Sequence, residues 1–154
     1  DSARFDFAEA HERLEVKTAV GPDRQHKFSS RQLPPSDGID LDVCSIVTDE
    51  VLGGVSVISL FEDIQNLLGP TKGSRNVGRN FAAYFQRGET LCESLLFDVQ
   101  QARDTRAIFL SDQIPSPELG DGVLRANWES DLTALTPAAS ATTGLGRLLL
   151  PEAK

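Results

Sequence analysis

Two acidic residues and a lysine near the start of the chain have the types and spacing of a metal-dependent hydrolytic site. Asp6 is followed by Glu15 and then, two positions later, by Lys17. Mg²⁺ or Mn²⁺ binds carboxylates and completes its shell with water and phosphate oxygens. Such an ion polarises a phosphodiester and lowers the pKa of a bound water. Asp6 and Glu15 are therefore candidate metal ligands, and Lys17 is a candidate to hold the attacking water or balance the developing charge.

An antiparallel hairpin would bring these residues together. Residues 2–7 and 14–20 alternate polar and apolar side chains, which is the strand period. If the hairpin is symmetric about Ala10–His11, opposed residues have numbers that sum to 21, and Asp6 then faces Glu15. Directly opposed Cβ atoms lie about 4.5–5.5 Å apart, so two carboxylates there repel each other. The pair therefore needs a cation, a proton or nearby bases.

A purely structural interpretation fits the same spacing. Asp6 could pair diagonally with Lys17, and Glu15 with Arg4, as a solvated group of charges. Exposed pairs of this kind are common and contribute little stability. The spacing alone leaves both interpretations open.

The remaining elements indicate an α+β or α/β domain. Apolar residues at helical spacing predict a helix over 56–68, which Ser56 caps and Gly69-Pro70 ends. A second helix is predicted over 74–87, and one or two helical turns over 26–33, before Pro34-Pro35. We expect one domain over 1–135 and a flexible tail over 136–154. Further strands are predicted over 39–47, 95–101, 106–110 and 122–132, with a break at Gly53-Gly54.

Composition limits the classes of protein that fit. The chain carries 15 basic and 23 acidic residues, a net charge of −8, so a domain that coats DNA is not expected. Basic residues are nevertheless concentrated locally, over 24–31 and 70–88. No apolar run approaches the roughly 18 residues of a membrane span, and no signal peptide is visible. We expect a cytoplasmic protein with reduced thiols at Cys44 and Cys92.

Three stretches of the first 33 residues carry a more specific pattern: FDF at 5–7, LEVKT at 14–18 and HKFSSRQL at 26–33. Together they resemble bacterial PD-(D/E)XK proteins of the restriction-endonuclease-like nuclease superfamily. The superfamily core begins with a helix ahead of the Asp strand, whereas this chain starts at that strand and contains no methionine. We therefore expect a piece of a longer protein that lacks its N-terminal element.

The resemblance implies a restriction-endonuclease-like core, a mixed β-sheet flanked by helices. It implies that Asp6 and Glu15 bind Mg²⁺ or Mn²⁺ and that Lys17 is the catalytic lysine. In related nucleases a glutamine on the helix after the lysine strand approaches the active site, and Gln32 is the matching position. The tyrosine that often follows such a glutamine is replaced by Ser36.

Four neighbours of Gln32 are candidate DNA contacts: His26, Lys27, Ser29 and Arg31. For His26, a packing or capping role is the alternative. The expected function is a metal-dependent DNA endonuclease of bacterial restriction or phage defence, acting beside ATPase or helicase-like partners. The alternative is a catalytically inactive interaction subunit of a defence complex that keeps the nuclease fold.

Overall fold

The computed structural model describes residues 5–34, 38–85 and 95–149, which form an α+β protein with a mixed sheet, as predicted. Among these residues no helix is long and apolar enough to cross a membrane. Arg4, Ser36, Arg87, Cys92 and 150–154 lie outside the described part of the chain. The strands are β1 (Phe7–Glu9), β2 (Glu12–Val20), β3 (Gln25–Ser29), β4 (Asp40–Thr48), β5 (Glu50–Ser56), β6 (Leu96–Phe97), β7 (Ala107–Leu110) and β8 (Asn127–Asp131). The helices are α1 (Val57–Leu68), α2 (Lys72–Phe85), α3 (Val99–Asp104) and α4 (Gly144–Arg147).

The chain divides into two compact units. The first comprises Asp1–Thr48 and Gln100–Lys154, and the second comprises Asp49–Val99. The predicted boundary at residue 135 does not coincide with either boundary between these units. All the candidate site residues belong to the first unit.

The first unit is built on a four-stranded sheet in the order β1-β2-β4-β7. The neighbours β2 and β4 run parallel, whereas β1 and β7 are antiparallel to the strands beside them. Strand β4 lies inside the sheet and is buried on both faces over nearly its whole length, including the polar residues Asp42 and Ser45. The predicted strand over 39–47 is thus confirmed within one residue at each end.

Side chains of this sheet alternate between two separate apolar clusters. The row Glu15, Val43 and Phe109 points to one face, where β3 supplies Phe28 and the residue after β8 supplies Leu132. The next row, Val16, Cys44 and Ile108, points to the opposite face. This period of two places Glu15 and Lys17 on the β3–β8 side of the sheet.

The predicted helical turns over 26–33 are wrong, because Gln25–Ser29 is a strand. His26 and Phe28 are both 2% exposed, while Gln25 and Lys27, which alternate with them, are exposed. That alternation is typical of a half-buried strand. It does not fit a helix, whose buried positions recur every three to four residues. The chain turns only afterwards, at residues 30–34.

The stretch from Ala138 to Leu149 packs on the second face of the sheet instead of forming the expected mobile tail. Its contacts include Ala141 and Leu145 against the cluster around Ile108. Asp42, fully buried on β4, accepts hydrogen bonds from the N–H and O–H groups of Thr142 and Thr143 at 2.7–3.2 Å. A carboxylate on a central strand thus holds the C-terminal segment.

The second unit contains both predicted long helices. Ser56 caps α1 by accepting a hydrogen bond from the Ser59 N–H at 3.0 Å, and Phe61 stacks on Phe81 of α2 at 3.9 Å between centroids. The predicted break at Gly53-Gly54 is wrong, because β5 continues through both glycines. A Cβ at Gly54 would lie 2.6 Å from the Phe97 carbonyl oxygen, so this close strand approach requires glycine.

Two predicted strands differ in extent from the observed elements. Most of the stretch over 95–101 is not a strand: β6 covers only Leu96–Phe97, and the chain then enters α3 at Val99. The stretch over 122–132 narrows to β8, which pairs with β3. The predicted strand over 106–110 corresponds to β7.

Candidate active site

The predicted hairpin register is confirmed. Phe7 pairs with Leu14 and Glu9 with Glu12, so opposed numbers sum to 21. The first strand is nevertheless short, and Asp6 lies just before it rather than inside the predicted strand over 2–7. Asp6 stays beside β2 through its side chain, whose Oδ2 accepts a hydrogen bond from the Val16 N–H at 2.7 Å.

Glu15 is the centre of the site. It is 5% exposed, and its Oε1 accepts contacts from Lys17 Nζ at 2.6 Å and from Gln32 Nε2 at 2.5 Å. Burial raises the pKa of the Glu15 carboxyl, Lys17 acts against that shift, and the nearby Asp6 carboxylate adds to it. A buried carboxylate is therefore kept in place by one cation and one amide, with a second carboxylate close by.

Lys17 reaches Glu15 because both project from the same side of β2. Its Nζ also lies 5.3 Å from the centroid of the Phe28 ring, and its side chain is 18% exposed. A cation over an aromatic face is attracted by the ring quadrupole. Lys17 is thus oriented by β3 as well as by its own strand, while keeping access to solvent.

Gln32 reaches Glu15 from a turn, not from the helix that the resemblance implied. The Gln32 and Leu33 N–H groups both donate to the Ser29 carbonyl, at 2.8 and 3.0 Å, which closes the turn. Leu33, 2% exposed, anchors it in the core. Gln32 therefore contacts Glu15, the predicted metal ligand, and a turn instead of a helix carries it there.

His26 does not lie where a DNA contact is needed. It is 2% exposed, and its Nε2 lies 2.8 Å from the hydroxyl of Ser45, which is itself fully buried. Burial, together with the neighbouring Arg24 and Lys17, lowers the pKa of His26 to about 4. A side chain this deeply buried is not accessible to a phosphate group, which favours the packing alternative for His26.

The other candidate DNA contacts lie at the surface. Lys27 and Arg31 are exposed, and Ser29 is half-buried with its hydroxyl 3.4 Å from Gln32 Oε1. An open groove of about 600 Å³ runs along this part of the β3–β8 pair. It is lined by Lys27, Phe28, Ser29, Gln32, Asn127, Trp128 and Glu129.

The sequence analysis does not identify the groove residues Asn127 and Trp128 as functional candidates. Trp128 packs against the core and also lines the groove beside Asn127. The signal available in the sequence was a lone tryptophan between polar neighbours, which is weak. Only the pairing of β3 with β8 brings position 128 beside Phe28.

The donor set suits a hard divalent cation in its chemistry. Asp6 and Glu15 offer carboxylate oxygens, which Mg²⁺ and Mn²⁺ prefer, and one or two carboxylates suffice when water and phosphate fill the other positions. Within 5–34, 38–85 and 95–149, no group of three or more His, Cys, Asp or Glu side chains is arranged to hold a metal ion. Asp6 and Glu15 are thus two carboxylates that interact electrostatically, fewer than the ligands of a closed structural site.

Comparison with known proteins identifies no relative: no family model, curated protein or solved structure matches the chain.

Proposed function

We propose that this protein is a Mg²⁺- or Mn²⁺-dependent DNA endonuclease whose first unit is a restriction-endonuclease-like core. The observation that supports the proposal is the meeting of Lys17 and Gln32 on one carboxylate oxygen of Glu15. The two partners come from different elements, and the PD-(D/E)XK resemblance assigns both to the active site. A solvated group of surface charges would not bury its central acid to 5% exposure.

In this proposal Asp6 and Glu15 hold the metal ion, which polarises the scissile phosphodiester and lowers the pKa of a bound water. Lys17 places an ammonium group beside Glu15 and favours the hydroxide form of water at that position. The same charge stabilises the negative charge that develops on phosphate during attack. Gln32 fixes the orientation of Glu15 and presents an amide at the edge of the groove.

The exposed cations Lys27 and Arg31 are proposed phosphate contacts next to this site. With a net charge of −8, the chain as a whole repels DNA, so binding must depend on this local ground or on a basic partner. ATPase or helicase-like partners in bacterial restriction or phage defence would supply such a surface. This cellular role rests on the family resemblance alone.

Cleavage of supercoiled plasmid and of circular single-stranded DNA, each with Mg²⁺, with Mn²⁺ and with EDTA, tests the proposal. Glu15→Gln and Lys17→Met should each lower the cleavage rate by at least about 100-fold, because metal binding and charge stabilisation are removed without a change of shape. Matched controls are Glu118→Gln and Lys72→Met, since both wild-type side chains are exposed and distant in sequence. Circular dichroism establishes that each variant is folded.

Equal cleavage by wild type and Glu15→Gln would refute the proposal. A folded protein that cuts no DNA with either metal, alone or with its partners, would favour the inactive interaction subunit instead. One observation favours that second function: the Lys17–Glu15 ion pair at 2.6 Å compensates both charges without a metal ion.

A further inference from the structure

The groove on the β3–β8 pair is continuous with the Glu15 site. Gln32 both lines the groove and donates to Glu15 at 2.5 Å. On the inner side, Trp128 lies 6.4 Å from Phe28 between ring centroids, and Phe28 in turn lies beneath Lys17 Nζ. A molecule that occupies the groove would therefore extend to the carboxylate cluster.

The charges in the groove do not suit a DNA duplex. Lys27 is the cation among the residues that line it, and its cross-strand partner is Glu129. Opposed charges at paired positions attract each other, so Lys27 is partly compensated. Duplex binding draws its affinity from several lysines and arginines that follow two phosphate backbones, and this lining does not provide them.

The lining does suit an unstacked base. Trp128 is half-buried, packs on Phe28, and donates from Nε1 to the Pro115 carbonyl at 3.1 Å, so its ring is held in one orientation. Asn127 and Ser29, which are paired at the end of the two strands, also line this groove and add amide and hydroxyl groups of the kind that read base edges. The groove volume of about 600 Å³ is within the usual range for ligand sites.

We propose that this groove binds single-stranded DNA, with a base stacked on Trp128 and the adjoining phosphate directed toward Glu15 and Lys17. Resting on the proposed function, this inference defines the substrate as a single strand or an unpaired flap. Stacking on an aromatic ring strengthens binding by about 5- to 150-fold per base and tolerates any sequence. It therefore compensates for the shortage of cations on an acidic protein.

Trp128 is the chain's only tryptophan, so its fluorescence reports directly on the groove. The test is titration of the full chain, in EDTA to prevent cleavage, with a short oligothymidylate and with a duplex of equal length. We expect the single strand to quench the fluorescence and to bind at least about 10-fold more tightly than the duplex. Binding to variants is measured by anisotropy of a labelled oligothymidylate.

Two variants test the contact itself, and a third is the control. Trp128→Ala should weaken single-strand binding by about 10- to 100-fold. Asn127→Asp, at an exposed position, should weaken it by placing a negative charge in the groove, and it keeps the proposal testable if Trp128→Ala does not fold. Leu124→Ala, which removes a 98% exposed side chain outside the groove, should leave binding unchanged.

The outcomes separate this inference from the proposed function. Quenching by single strands without cleavage in Mg²⁺ or Mn²⁺ supports the groove and refutes the nuclease. Cleavage that depends on Glu15, combined with equal or tighter duplex binding, overturns the groove inference and leaves the nuclease intact. Unchanged fluorescence on saturation with oligothymidylate also overturns the groove inference.

Discussion

At the scale of single residues, the interior beside the site is organised by a buried polar network. The Arg24 Nη1 donates to the Ser45 hydroxyl at 2.8 Å, and Nη2 donates to the Thr105 carbonyl at 2.6 Å. Because a guanidinium only donates, the Ser45 hydroxyl accepts from it and keeps its own hydrogen available for His26 Nε2. Only a neutral imidazole can accept that hydrogen, and the lowered pKa of His26 favours the neutral form.

We predict that His26 makes the protein sensitive to mild acid. Its pKa is about 4 in the folded chain and about 6.5 unfolded, so the unfolded state binds more protons between these values. The contribution is fully present above about pH 6.5 and is lost as the pH falls toward 4. At about pH 5 it should lower the free energy of unfolding by about 2 kcal/mol relative to neutral pH.

Urea unfolding between about pH 7.5 and 5 measures this effect. His26→Gln should flatten the pH dependence, whatever it does to the stability at neutral pH. His11→Gln is the matched control, because it makes the same substitution at the other histidine of the chain, which is exposed. An identical slope in wild type and His26→Gln would show that His26 does not titrate on unfolding.

At the scale of elements, carboxylates of β2 and β4 dock the C-terminal segment. Besides the contacts of Asp42, Glu12 Oε2 accepts hydrogen bonds from the Gly144 and Leu145 N–H groups at 2.9 and 3.3 Å. Negative charge at the start of a helical turn is favourable, because the N–H groups there lack backbone partners. The segment is thus held by polar groups as well as by its apolar side chains.

We predict that Gly146→Ala releases this segment. A Cβ at position 146 would collide with Asp42 Oδ2 and lie 2.9 Å from the Ala141 Cβ, so the helical turn cannot stay in place. Overpacking and the loss of buried hydrogen bonds should cost about 2–4 kcal/mol. Thermal unfolding and limited proteolysis near residues 138–149 provide the measurement.

The control for this substitution is Gly120→Ala, because a Cβ there meets nothing within 4 Å. That variant should melt like wild type and resist protease equally. If Gly146→Ala behaved in the same way, the docking of the segment on Asp42 would not contribute to stability.

At the scale of the whole molecule, we predict that Mg²⁺ raises the melting temperature through the Glu15 site. A ligand that binds only the folded state stabilises it by about 1.4 kcal/mol at ten times its dissociation constant. For a chain of this length that corresponds to about 3–6 °C. Differential scanning calorimetry over a Mg²⁺ series gives the shift without reference to catalysis.

Glu15→Gln should abolish that shift, because an amide replaces the charged metal ligand, while Glu118→Gln should retain it. A shift of equal size in both variants would place the stabilising ion elsewhere on the acidic surface. Such nonspecific binding is the natural competitor on a protein with a net charge of −8.

The alternation of the first 20 residues was sufficient to predict the hairpin, its register and the shared face of Glu15 and Lys17. The helices α1 and α2 were also predicted from the sequence, because the apolar spacing, the cap at Ser56 and the helix end at Gly69-Pro70 are all local signals. In each case the deciding interactions lie between residues close in sequence. Periodicity records such interactions directly.

Long-range packing decided the rest. Whether the stretch around His26 and Phe28 became strand or helix depended on β8, about a hundred residues away, and the fate of the C-terminal stretch depended on one buried carboxylate, Asp42. The groove at Trp128 exists only where β3 and β8 pair. A single sequence states which side chains can be buried, but which distant segment buries them depends on shape and on hydrogen-bond partners that appear only when the chain is folded.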